Sequence, residues 1–170
     1  MFQTLNDSVI RWDLFNNEDI FSKFKPNEWS LIVSDIYSQQ EWQNFINDYC
    51  DLVCCYVMRT CRDNREIAFV YLYNEVGIFE IVSIHGGGWD KSLCSSLYYY
   101  RGLILIIKEL ISQNIKVRTS CFENNYRAYK FLRSVGFVRY NTSTGMNYMW
   151  INKRRLQSSK IYKRFFGADF

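Results

Sequence analysis

Apolar and polar residues follow two different periods along this chain, and the switches between them mark its elements. Residues 9–14, Val-Ile-Arg-Trp-Asp-Leu, mix the two kinds as an opening strand does, and Asn16-Asn17-Glu18-Asp19 supplies turn and helix-start chemistry. Trp29, Ile32, Val33 and Ile36 then recur at intervals of three and four, which predicts a helix over 26–36. Pro26 suits its first turn, where no amide proton is needed. Trp42, Phe45, Ile46 and Tyr49 repeat that spacing in a second helix over 39–49.

After Asp51 the period shortens. Residues 52–60, rich in valine, cysteine and tyrosine, read as a strand, Asp63-Asn64 as a turn, and 67–73 as the next strand. Residues 74–77 turn into a third strand over 78–84, so three strands with short connections form an antiparallel meander. His85-Gly86-Gly87-Gly88-Trp89 reads as a glycine turn leading to a long helix over 93–112, with a stripe of Leu97, Leu103, Ile104, Ile107, Leu110 and Ile111. Tyr98, Tyr99 and Tyr100 encircle that helix, so at least one is expected to face away from the core. A strand over 115–122, a short helix from Asn125, a strand over 137–140, a polar loop over 141–145 and a last strand over 146–151 follow. A strand, helix and strand in succession require a crossover and a parallel pair, so the chain is a mixed α/β (α+β) fold.

Composition narrows this to a single domain. The 170 residues are 48% apolar and 18% aromatic, enough for one core. The N-terminus has no basic leader before an apolar run, and the apolar runs, 103–107 among them, are far short of the roughly 20 residues that span a bilayer. A cytoplasmic protein with no membrane partner is expected. The six cysteines have no recurring metal-ligand spacing and there is one histidine, so we expect no metal, buried thiols and no structural disulfide. Charge is uneven: residues 152–170 carry six cations against one anion within a net +4, so the reading is a domain over 1–151 followed by a basic tail over 152–170.

The segment Asn125-Tyr126-Arg127-Ala128, ending in Gly136-Phe137, resembles the asparagine, alanine and glycine-phenylalanine pattern of the GCN5-related N-acetyltransferases, the GNAT superfamily. The order of elements is similar over 9–151. The resemblance implies a mostly antiparallel central sheet of six to seven strands with helices on both faces, and acetyl-CoA as cosubstrate. It implies that backbone groups of Val82, Ser83 and Ile84 pair with the pantetheine arm and that Asn125 hydrogen-bonds near the pantetheine or acetyl group. The family's pyrophosphate loop falls on Trp89, Asp90, Lys91, Ser92, Leu93 and Cys94, where amides opening a helix hold an anion. Small residues stand at only two of these positions, Ser92 and Cys94, and Gly86-Gly87-Gly88 offers an alternative nest of amides at positive φ.

Acyl transfer to an amine needs a deprotonated nucleophile, a polarised thioester and a proton for the thiolate. Glu80, on the strand leading to the site, and His85, at its end, are the candidate bases, and alternation puts them on opposite faces. Many family members carry a tyrosine seven residues after the asparagine; here that position is Leu132, leaving Tyr129 and Tyr140 as candidate acids. The expected reaction is acetyl transfer to a primary amine: a protein N-terminus, a lysine or a small amine. Two other readings keep the fold without catalysis: a binding module whose basic tail docks on nucleic acid or an acidic protein, and a structural subunit of a homodimer or other oligomer, held by its tyrosine-rich surface.

Overall fold

The computed structural model describes residues 4–15, 40–41, 44, 47–48, 50–75, 77, 80–88 and 97–167. Eight strands form one sheet: β1 (Thr4–Asn6), β2 (Ile10–Phe15), β3 (Cys50–Thr60), β4 (Glu66–Glu75), β5 (Ile81–Gly88), β6 (Lys116–Phe122), β7 (Val138–Ser143) and β8 (Met146–Ile151). Their spatial order is β1-β2-β3-β4-β5-β6-β8-β7. Every neighbouring pair is antiparallel except β5 and β6, the pair joined by a helical crossover. Four helices are described over their whole length: α1 (Leu97–Ser112), α2 (Tyr126–Val135), α3 (Lys153–Ser158) and α4 (Lys160–Phe166).

The core sits between α1 and one face of the sheet. Leu103 to Ile107 and Leu110 of α1 are buried against Met58, Ala68, Val70, Leu72, Val82 and Ile84. Strand alternation puts the sheet's side chains on one face; the five consecutive buried residues 103–107 go right round α1, which meets α3 and α4 as well as the sheet. Gly102 lets α1 lie close on the sheet: a β-carbon there would clash with the Met58 sulfur, and the Trp12 indole N–H donates to the Gly102 carbonyl at 2.9 Å. Tyr98, Tyr99 and Tyr100 all pack partly against the core, Tyr99 and Tyr100 through Phe131, so none of the three points wholly outward. Cys55, Val57, Phe69 and Tyr71, on the sheet's other face, are buried as well.

Several expectations need correction. Gly86-Gly87-Gly88 is not a turn: the three continue β5 as paired strand opposite Val70, Phe69 and Ala68. The long β4 offers partners to the end, and a β-carbon on Gly86 would lie 2.4 Å from the Phe69 carbonyl oxygen, so the absence of a side chain serves close strand approach. The polar stretch 141–145 is mostly strand. β7 runs on to Ser143, and Thr144 (φ 51°) and Gly145 (φ 75°) make a two-residue hairpin turn with both φ positive.

Residues 152–170 are not a loose tail across their described part. They form α3 and α4, and Leu156 and Tyr162 are wholly buried in the same core cluster. Asn152 caps α3 by accepting from the Arg155 amide, and Ser159 caps α4 through the Tyr162 amide. Cys55 and Cys121 are buried as expected, whereas Cys61 is exposed. Gln40, Glu41, Asn44, Asn47 and Asp48 are helical, in agreement with a helix over 39–49; the helix expected over 26–36 lies outside the described residues.

Candidate functional site

A parting of the two parallel strands organises the site. β5 and β6 pair at Ile81↔Lys116, Val82↔Val117 and Ser83↔Arg118, and no further. Beyond that point β5 stays with β4 as far as Gly88, while β6 stays with β8 as far as Phe122. The Thr119 hydroxyl donates to the Ile84 carbonyl at 2.7 Å and clips the vertex where the strands separate. Thr119 is buried, so this bond replaces a ladder bond that would otherwise leave Ile84 without its partner.

Register decides what faces the gap. The Lys116 amide donates to the Glu80 carbonyl at 3.0 Å, which turns the backbone groups of even-numbered residues on both strands toward one another. Past the vertex, Gly86 and Gly88 on β5 and Ser120 on β6 therefore direct amides and carbonyls into the gap. With no side chain on either glycine, an extended ligand can lie flat along β5.

On the face away from α1, the His85 ring stacks on Tyr71 (centroids 5.3 Å apart) and Tyr73 (5.7 Å). One residue row nearer the closed end, the Arg118 guanidinium donates to the Ser83 hydroxyl at 2.7 Å. Burial among these rings, reinforced by the Arg118 charge, pulls the imidazole pKa down to about 4. His85 is thus neutral at pH 7.

The candidate bases separate along β5. His85 lies at the open end, but Glu80 sits in the turn before Ile81, at the closed end, with its side chain 84% exposed and 3.7 Å from Lys116. Four residues of strand, about 13 Å, separate it from Ile84, so the structure does not bring Glu80 to the gap. Asn125 follows β6 at the open end. Its side-chain oxygen accepts from the Ala128 amide at 3.0 Å and caps α2, the helix-cap role of asparagine at this position.

The two tyrosines are also apart. Tyr129 packs on the core with the Arg139 guanidinium over its ring at 6.0 Å. Tyr140 is 54% exposed on the outer strand β7, its ring 6.4 Å from that of Tyr148. Two interstrand spacings, about 10 Å, divide β7 from β6. Val82, Ser83 and Ile84 end at the vertex, while Trp89, Asp90, Lys91, Ser92, Leu93 and Cys94 lie outside the described residues.

Sequence reasoning did not find Thr119, Arg118, Ser120, Tyr71 or Tyr73. Alternation along β4 and β5 carries part of the signal, since it puts Tyr71, Tyr73 and His85 on one face once the register is known. Among the described residues no group of histidine, cysteine and acidic side chains could hold a metal ion, and no helix is long and apolar enough to cross a membrane.

No protein-family model matches the sequence, and no curated protein matches it. Solved structures do. The fold is similar to a GCN5-related N-acetyltransferase from Brucella melitensis, at TM-score 0.65 and 9% identity, over 94% of this chain and 82% of that one. It is similar to the aminoglycoside acetyltransferase AAC(6')-Ib in complex with coenzyme A and kanamycin, at TM-score 0.64 and 14% identity, over 92% and 98%. A third similar structure is RimL, a ribosomal L7/L12 alpha-N-protein acetyltransferase, at TM-score 0.63 and 12% identity, over 89% and 95%.

Proposed function

Since the chain has the fold of the GCN5-related N-acetyltransferases, we propose that it is an N-acetyltransferase that takes its acyl group from acetyl-CoA and passes it to a primary amine. The observation that carries this reading is the parting of β5 from β6 after Ser83↔Arg118, with strand edges left open to an extended, amide-bearing ligand. Gly86, Gly88 and Ser120 supply strand-like hydrogen bonds to such an arm, and amides of residues 89–94 supply the anion contacts. Bound acetyl-CoA brings an activated thioester to the open end.

The amine would attack the thioester carbonyl, forming the C–N bond as the C–S bond breaks, and the proton lost from nitrogen would pass through water to the departing thiolate. Thiolate is a good leaving group, so a water suffices as its proton donor. His85, neutral at pH 7 with a conjugate acid near pKa 4, is a weak equilibrium base; it serves better as a hydrogen-bond acceptor that orients the arriving amine or a water. The acceptor is less constrained, because similar folds include a complex with kanamycin and an acetyltransferase of a protein N-terminus.

Calorimetric titration with acetyl-CoA and with CoA, followed by a screen of amines for acetyl transfer, tests the proposal. Micromolar binding is expected. Thr119→Val, which removes the clip at the vertex and leaves the Ile84 carbonyl unsatisfied, is expected to weaken binding several-fold and to cost about 1–3 kcal/mol of stability. No heat and no thermal shift at millimolar cofactor would overturn the reading.

A further inference from the structure

Charge is polarised far more sharply than the net +4 reveals. Residues 124–168 contain ten of the chain's 21 lysines and arginines and not one carboxylate. The same stretch holds every exposed large aromatic side chain among the described residues: Tyr126 at 71%, Tyr140 at 54% and Trp150 at 37%.

The structure collects four of these cations and two of the aromatics into a track. On α2, Tyr126, Lys130 and Arg133 stand at i, i+4 and i+7, on one face, all exposed; the opposite face buries Leu132 and Val135. The stripe runs about 10 Å along the helix. At its end a cavity of about 470 Å³, lined by Arg133, Ser134, Arg155, Ser158, Ser159 and Lys160 among others, joins the end of α2 to α3 and the start of α4. The Arg155 guanidinium then lies over the Trp150 ring at 5.3 Å. None of Lys130, Arg133, Arg155 and Lys160 has a carboxylate partner among the described residues. Four cations held near each other without counter-charge repel, and a polyanion relieves that repulsion.

We propose that this α2–α3–α4 track, from Tyr126 through the Arg133–Arg155–Lys160 cavity to Trp150, binds single-stranded nucleic acid. The cations meet successive phosphates, with the serine hydroxyls as further donors, and Tyr126 and Trp150 offer flat rings on which unpaired bases stack. Exposed aromatics between the cations favour this partner over an acidic peptide, which has no use for stacking platforms. They favour it over an anionic bilayer too, because neither Tyr126 nor Trp150 belongs to an apolar helix face that would insert. The proposal does not depend on acetyl transfer.

Fluorescence anisotropy of a labelled mixed-sequence single-stranded oligoribonucleotide, titrated with the full chain at several salt concentrations, tests it. Binding is expected near 50 mM salt, with log K falling against log salt at a slope of about −3 if four phosphates are engaged. The triple variant Lys130→Ala, Arg133→Ala, Arg155→Ala should lose about 2 of that slope, and Tyr126→Ala should weaken binding about tenfold with the slope unchanged. Thermal melts check that these exposed changes leave the fold intact, and Arg62→Ala, in the β3–β4 turn, is the control that should change nothing. The proposal is overturned by absence of binding near 50 mM salt, by equal loss in the Arg62 variant, or by no loss in Tyr126→Ala. Equal or tighter binding of polyglutamate or of phosphatidylserine vesicles in competition overturns it as well.

Discussion

His85 stands directly opposite Tyr71 in the β4–β5 ladder, and its ring has lost much of its water to Tyr71 and Tyr73. Its folded pKa, about 4, lies below the value near 6.5 of an unfolded histidine, so between these pH values the unfolded chain binds more protons. Stability contributed by this site is therefore complete above about pH 6.5 and declines as pH falls toward 4. With the ring mostly buried, the loss by pH 4.5 is on the order of 2 kcal/mol. Urea unfolding at pH 7 and pH 4.5 measures it, and His85→Gln should flatten that part of the profile. A histidine in the sequence announced a proton-handling group; that it is held neutral became visible only when two tyrosines from another strand came beside it. Asn125 is the reverse case, since its capping role follows from local sequence alone.

At the scale of elements, the end of α2 shows how one residue serves two purposes. Gly136 adopts φ 116°, its amide bonds to the carbonyls of Leu132 and Arg133, and the Phe137 amide reaches back to Leu132, closing a Schellman motif. A β-carbon there would also sit 2.7 Å from the Arg155 carbonyl oxygen of α3, a backbone atom that cannot move aside cheaply. Gly136→Ala combines backbone strain with that clash, and we expect it to lower stability by at least about 2 kcal/mol, measured by chemical denaturation. A glycine at this point is a local helix-stop signal, whereas the α3 contact has no local signal at all. The same difference appears in β5, where a glycine cluster reads locally as a turn but is drawn into the sheet by the ten-residue length of β4. In 141–145, side-chain polarity suggested a loop, yet an edge strand with exposed side chains is polar for the same reason.

For the whole molecule, α3 and α4 belong to the body that α1 and α2 build. Arg101 of α1 pairs with Asp7 before β2 and lies against the rings of Phe165 and Phe166, joining the chain's beginning to its last helix. Deleting residues 152–170 should therefore not leave a folded domain over 1–151. Uncovering Leu156 and Tyr162 alone forfeits about 3–6 kcal/mol of burial, comparable with the entire stability of many domains. A denaturation midpoint unchanged by the deletion would instead identify a dispensable tail. The sequence by itself determined the succession of described elements from β2 to β8, the buried positions 103, 104, 107 and 110 of α1 and the Asn125 cap of α2, because these rest on the period of apolar residues and on hydrogen bonds spanning three or four positions. Only the tertiary structure decided where β5 and β6 part, which backbone groups face the gap, how His85 is held neutral and how scattered cations become one track. Each of these depends on partners far apart in the chain, whose register no local pattern encodes.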